Sequence, residues 1–97
     1  MIERHVTFDV IHGKEKEFEA LFKEAYSVAM SKQAGFVSVT LLKDHEKEAV
    51  YKMAIRFQSL ETAAAWRDSA DHKALSPKIK ALYTESTVQV YKVITQR

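Results

Sequence analysis

Residues Phe57 to Leu75 read FQSLETAAAWRDSADHKAL. The segment opens as a capped helix. Ser59 can accept from the free N–H groups of the first turn, and Glu61 favours the positive helix end. Leu60, Ala63, Trp66 and Ala70 then fall on one stripe at helical spacing, while Glu61, Asp68 and Ser69 fall away from it. The single Trp of the chain therefore points inward. Ala63, Ala64 and Ala65 fill little space around an indole, so this wall either seats the helix close against a sheet or leaves a cavity. His72 follows six positions after Trp66.

Working outward, Ala49 to Phe57 alternates as a strand, with Tyr51, Met53, Ile55 and Phe57 on one face. The polar turn Asp44-His45-Glu46-Lys47 joins it in a hairpin to a strand over Phe36 to Lys43, with Val37, Val39 and Leu41 on one face. Gln33-Ala34-Gly35 ends a helix over Lys14 to Met30, and Gly35 can take the left-handed conformation that a helix end needs. That helix turns Phe18, Leu21, Phe22, Ala25, Val28 and Ala29 inward, with Glu19 and Lys23 paired on its solvent side. Before it, Arg4 to Ile11 is a half-buried strand with Val6, Phe8 and Val10 on its apolar face, closed by the turn His12-Gly13. Downstream, the Trp66 helix is interrupted near Ala70-Asp71. A second interruption falls at Ser76-Pro77, where Ser caps and Pro takes the first helical position. Leu75, Ile79, Leu82 and Tyr83 continue the inward stripe, and Thr87 to Ile94 is the last strand. The order β-α-β-β-α-β is the ferredoxin-like, split βαβ arrangement. It is an α+β fold with a four-stranded antiparallel sheet and both helices on one face.

The 97 residues make one domain over residues 1–97. The chain is 46% apolar with a net charge of +2, which argues against disorder and against a nucleic-acid partner. It has no Cys, which excludes disulfides, thiolate zinc sites and a Cys nucleophile and fits a reducing, cytoplasmic location. No segment is long enough to span a bilayer, so no membrane partner is expected. The second face of the sheet mixes Phe36, Leu42, Val50, Ala54, Tyr91 and Val93 with His5, Thr7, Lys52, Arg56 and Gln89. That face is too apolar to leave bare and too polar for a core, as expected of a homodimer interface.

These stretches resemble the antibiotic biosynthesis monooxygenase family of dimeric α/β barrels. The resemblance covers nearly the whole chain. It rests on GKEKEFEALFKEA, AGFVSVTLLKD, AVYKMAIRFQSLETAAAWRDSADHKAL and STVQVYKVI. The resemblance implies a homodimer with sheets packed face to face and a ligand cavity between sheet and helices. Some members oxidise polycyclic aromatics or quinols without metal or organic cofactor, others degrade haem, and many have no known activity. IERHVTFDV also resembles the start of the stress-responsive A/B barrel proteins, which share the dimeric fold. The haem-degrading branch uses an Asn on the first strand and a His about ten residues past the Trp. Here Ser76 stands at that position and the chain has no Asn. Haem degradation is therefore not expected, and no cofactor is. Thr62 stands where cofactor-free members commonly place an amide.

Trp66 and His72 are the candidate catalytic residues. An indole can flank and stack on a planar substrate, and an imidazole can take a phenolic proton near neutrality. Against this, Trp66 reads more readily as a core anchor, since buried aromatics are mostly packing, and His72 as a polar residue at the helix break or one hydrogen-bonded across the dimer. Phe8, Phe22, Tyr51, Met53 and Thr62 are the ligand contacts expected of a cavity between sheet and helices. His5 lies on the mixed face, and His12 and His45 sit in turns. No His pair has metal-ligand spacing. Glu15, Glu17 and Glu19 form a solvated helix face, and Lys73, Lys78 and Lys80 a modest basic surface. Two functions fit: a monooxygenase of a small phenol-, quinol- or polyketide-like aromatic, and a non-catalytic dimer that binds a small apolar ligand or serves a stress response.

Overall fold

The computed structural model describes residues 1–97. Strand β1 (Ile2–Val10) pairs on one side with β3 (Val50–Phe57) and on the other with β4 (Tyr83–Lys92). Strand β2 (Phe36–Lys43) lies beyond β3, so the sheet order is β2-β3-β1-β4, antiparallel throughout. Between β1 and β2 run α1 (Glu15–Leu21), a π-helical turn (Phe22–Tyr26) and α2 (Ser27–Ser31). Between β3 and β4 run α3 (Leu60–Asp68) and α4 (Ala70–Lys80). This is the ferredoxin-like α+β arrangement that the sequence predicts.

Alternation builds the core. Tyr51, Met53, Ile55 and Phe57 of β3 are buried, and the residues between them are not. They meet Phe8 and Val10 of β1, and the helices add Phe18, Phe22, Tyr26, Met30, Ala63, Trp66 and Ile79. Fully burying a side chain of the larger kind contributes about 1.5–3 kcal/mol, so this single layer between sheet and helices dominates stability.

The first helical arm differs from the expected stripe. Residues Phe18, Phe22, Tyr26 and Met30 are the buried ones, at a strict spacing of four, and Val28 is 44% exposed. In a regular α-helix a spacing of four drifts by about 40° per step. The π-helical turn, in which the Ser27 N–H donates to the Phe22 carbonyl, holds the four residues in line. Glu19 does not pair with Lys23; its carboxylate accepts the Tyr51 hydroxyl instead.

Three further expectations are corrected. Phe36 is not on the outer face. A register shift between Phe36 and Ser38 turns its ring onto Phe57, at 5.9 Å and nearly perpendicular, and leaves Val37 exposed. The second helical arm breaks once, at Ser69, and runs unbroken through Ser76-Pro77. Ser69 is extended, its hydroxyl donates to the Trp66 carbonyl at 2.7 Å, and the same oxygen accepts the His72 N–H at 3.1 Å. One serine thus caps both helices, and Ser76 has no cap to form. Pro77 and Lys73 are exposed, so water can serve the Lys73 carbonyl that the proline leaves without its helical donor. Strand β4 begins at Tyr83, four residues earlier than expected, because Tyr83 pairs with Val10 across a bulge at Asp9/Val10.

On the outer face, the Glu3 carboxylate accepts from His5 at 2.5 Å and from Arg56. These bonds, His5 first, hold it below the usual carboxylate range. Tyr91 packs on His5 at 4.9 Å, and both Tyr91 and Leu42 are largely exposed.

Candidate functional site

The second helical arm places its aromatic residues by a short chain of local causes. Ser59 and Thr62 form a capping box that starts α3: the Thr62 N–H donates to Ser59 Oγ and the Ser59 N–H to Thr62 Oγ1, both at 3.1 Å. One turn later Trp66 is 3% exposed. The Ser69 joint then turns the chain so that His72, in the first turn of α4, comes back beside it. The rings of Trp66 and His72 lie 5.1 Å apart at 83°. Tyr26, from the π-helical turn, meets Trp66 edge-on at 5.5 Å and His72 at 6.1 Å. Three aromatic rings from two helical arms thus converge.

They converge on a cavity of about 220 Å³ between helices and sheet. Phe8, Met53, Ile55 and Phe57 form its floor, and Ala63, Trp66 and Ile79 face them from the helices. The alanine wall therefore leaves a cavity. The helices reach the start of β4 and leave its middle uncovered. Val88 and Val90, which pair with Val6 and Arg4 and share their side of the sheet, are 45% and 53% exposed. The cavity opens there, past Ser86 and Val88.

Of the residues singled out in the sequence, Trp66, His72, Phe8 and Met53 line this cavity. Phe22, Tyr51 and Thr62 do not. Phe22 is core, stacked on Tyr26 at 6.5 Å. Tyr51 is 1% exposed and lies beside the floor, further along the same face of β3, against Phe18 at 5.1 Å, with its hydroxyl on Glu19. Burial, then Glu19, pushes its phenol well above the usual range. Thr62 is a structural residue, engaged in the cap and packed on Gly35.

The electrostatics are one-sided. Arg4, Arg67, His72 and Lys80 all line the cavity, and no Asp or Glu does. Burial, then the charges of Arg4, Arg67 and Lys80, hold the His72 pKa below the ordinary histidine value, with the Arg67 backbone acting the other way. His72 is thus neutral at pH 7 and can accept a proton. Burial pushes the Tyr26 phenol up to about 12, against the pull of Arg4, so Tyr26 stays a neutral donor. Ser76, at the position where the haem-degrading branch has its His, lies in the cavity wall as a small hydroxyl. No group of His and carboxylates is placed to hold a metal ion.

Among the lining residues, sequence reasoning missed Arg4, Tyr26 and Arg67, and it placed Lys80 on a basic surface, where the structure puts it at the cavity wall. Arg4 could have been found, because it falls in phase with Val6, Phe8 and Val10, and a charge on an apolar face is a signal. Tyr26 was masked by the π-helical turn, which no residue of that stretch announces.

Comparison with known proteins agrees with this architecture. The sequence profile of the antibiotic biosynthesis monooxygenase family matches residues 1–78. No curated protein matches the chain significantly. Among solved structures, SnoaB from Streptomyces nogalater, a cofactor-independent oxygenase, is 22% identical with a TM-score of 0.88, over 98% of this chain and 94% of that one. A Nitrosomonas europaea protein, provisionally named an antibiotic biosynthesis monooxygenase, is 14% identical with a TM-score of 0.86, over 98% and 100%. A conserved protein from Methanosarcina mazei is 17% identical with a TM-score of 0.85, over 94% and 90%. At these identities the structural likeness is one of fold, and the family rests on the sequence profile: the chain belongs to the antibiotic biosynthesis monooxygenase family.

Proposed function

We propose that the chain is a cofactor-free monooxygenase of a small aromatic substrate, a quinol, a phenol or a polyketide-like ring. The observation that carries this reading is the neutral His72 held edge-on to Trp66 inside an aromatic-walled cavity. Trp66 and Tyr26 hold the substrate ring against Phe8 and Met53. His72 takes the proton of an acidic ring hydroxyl, and the resulting anion passes an electron to oxygen. The two radicals join in a C–O bond, and loss of water leaves a carbonyl. In sum, the ring loses two hydrogen atoms and gains one oxygen atom. Those hydrogens leave with the other atom of the dioxygen as a single water molecule. The apolar walls exclude bulk water from the anion. Family membership supports the reaction class, and the likeness to the Streptomyces nogalater oxygenase agrees with it.

A homodimer through the outer sheet faces belongs to the same proposal, supported by exposed Leu42 and Tyr91 on a face that also carries the His5–Glu3–Arg56 cluster. No helix is long and apolar enough to cross a membrane, and the absence of Cys is in keeping with a cytoplasmic location. The second reading, a ligand-binding dimer without chemistry, is favoured by one observation: no carboxylate bonds to the His72 ring to orient it as a base.

Oxygen uptake against a panel of quinols and anthrones tests the reading. The rate should rise with pH as His72 loses its proton below the ordinary histidine value and be flat above it. The change His72→Phe should abolish that limb. Aromatic ligands that bind in the cavity while none consumes oxygen above the buffer rate would leave the binding reading in place.

A further inference from the structure

We propose that the cavity is an anion site: its ligand is a planar aromatic carrying an anionic oxygen, a ring carboxylate or an ionised ring hydroxyl, and Arg4 is the countercharge. The inference takes the cavity as the ligand site and deepens the oxygenase reading by giving the substrate its charge.

Arg4 stands at the position of β1 that turns under the helices, two residues before Val6 and four before Phe8. A guanidinium there is expensive unless something pairs with it. Nothing in the chain does. The ion pairs of the protein involve His5, His12, Lys14 and Arg56, never Arg4. Its Nε is buried and has no hydrogen-bond acceptor. The contrast with Arg56 is informative. Arg56 lies on the other face of the same sheet and is satisfied by Glu3 and Gln96.

The surroundings add to the charge and do not cancel it. Arg67 faces Arg4 from α3, and His72 and Lys80 face the cavity from α4. Tyr26 and Tyr83 contribute neutral phenols, and no carboxylate enters the wall. Burial, then repulsion from Arg67, lowers the Arg4 pKa. A small apolar cavity has therefore been lined by three cations, Arg4 with the more exposed Arg67 and Lys80, beside a neutral His72, and given no counterion of its own. A neutral ring would fill the apolar volume and leave Arg4 unpaired. An anionic oxygen would complete it, and the planar fork of an arginine suits the two oxygens of a carboxylate, or an ionised hydroxyl beside a carbonyl. An ionised ring hydroxyl is also the species that the proposed oxygen chemistry requires, whereas a ring carboxylate would pair with Arg4 while His72 takes the proton of a separate hydroxyl.

The test uses binding, apart from turnover. The probes are 2-naphthoate and its methyl ester, and a nitronaphtholate and its methyl ether. Affinity is read by quenching of the single Trp and by calorimetry, at pH 8 where His72 is neutral. Wild type should bind each anion at least about tenfold tighter than its neutral partner, 1.4 kcal/mol. Arg4→Met should bring the anions down to the level of the neutral probes without weakening the latter, and Arg4→Lys should keep part of the preference. Thermal unfolding of Arg4→Met should occur at or above the wild-type temperature, since a half-buried, unpaired charge with a buried Nε is removed. Equal affinity for anions and neutral partners in wild type would overturn the inference, as would an unchanged preference in Arg4→Met. A charge preference with no oxygen uptake for any ring would retain the anion site and remove the oxygenase reading. Oxygen uptake with no charge preference would do the reverse.

Discussion

The contact between Gly35 and Thr62 sets where the Trp66 helix starts, and its disruption can be calculated against an internal control. Gly35 has φ +80°, and a Cβ there would lie 2.5 Å from Thr62 Cβ and Cγ2 and 2.7 Å from Oγ1. Thr62 cannot yield easily. Its Cβ is fixed to the helix backbone, its Oγ1 accepts the Ser59 N–H, and the Gln58 N–H donates to the Gly35 carbonyl at 2.8 Å. The two segments would have to part by about an ångström. Gly13 has φ +93°, and a Cβ there would meet nothing within 4 Å. Both changes to Ala carry the positive-φ cost, about 1–2 kcal/mol, offset in part by about 0.4–1 kcal/mol from a stiffer unfolded chain. Gly35→Ala adds overpacking of about 1–3 kcal/mol and strain on a cap worth about 1 kcal/mol. Gly13→Ala should therefore cost about 1 kcal/mol and Gly35→Ala about 3–4 kcal/mol. Urea unfolding followed by Trp66 fluorescence measures both, and the slopes should match wild type. The difference of about 2–3 kcal/mol corresponds to roughly 8–24 °C in melting temperature for a domain of this size. Trp66 lies one turn past Thr62, so the folded-state emission of Gly35→Ala should shift and that of Gly13→Ala should not. Equal costs within about 0.5 kcal/mol would refute the argument, because they would mean that α3 can move away from Gly35 freely.

Two other expectations follow from the same geometry. Trp66→Phe keeps a ring in the core but gives up edge contacts to Tyr26 and His72; at about 0.5–1.5 kcal/mol each, the loss should be roughly 2 kcal/mol with the fold retained, and calorimetry should show weaker binding of aromatic probes. A change that costs more than about 4 kcal/mol and leaves binding intact would make Trp66 a core anchor only. If the outer sheet faces pair, sedimentation at micromolar concentration should give twice the chain mass, and a charge introduced at Tyr91 (Tyr91→Glu) should give the single-chain mass; a wild-type monomer would sink the dimer.

Much of the fold was legible because its causes are local. Strict alternation over Tyr51 to Phe57 marked β3, and the serine at position 59 marked the start of α3. What the sequence hid depended on partners far along the chain. The inward turn of Phe36 is a bulge against Phe57, 21 positions away, and the early start of β4 is a pairing of Tyr83 with Val10. The alternation in β4 also gave no sign that the helices leave its middle uncovered, since Val88 and Val90 look like core residues by type. That uncovered strip is what opens the cavity. The site was half legible for a related reason. Apolar cavity walls such as Phe8 and Met53 follow from strand phase, but phase alone does not separate the stretch of that face under the cavity from the stretch packed under α1, where Tyr51 meets Phe18.

The single break of the second arm does more than end a helix. If α3 had continued past Asp68, residue 72 would lie six positions beyond Trp66, about 240° further round the helix at about 100° per residue, and could not share its face. Ser69 removes that conflict. Its extended backbone resets the phase, and its hydroxyl joins the Trp66 carbonyl to the His72 N–H, so both rings are tied to one oxygen atom. The base and the aromatic wall are therefore set relative to each other by backbone hydrogen bonds, independent of what fills the cavity. Arg4 comes from the opposite layer, on a central strand held on both sides. A ring seated between them would have its acidic hydroxyl near His72 and its anionic oxygen near Arg4, with the two elements fixed by separate parts of the fold. Apolar volume could accept many rings; on the proposed reading, the fixed spacing of His72 and Arg4 would restrict the choice to those whose charge and hydroxyl are correctly spaced.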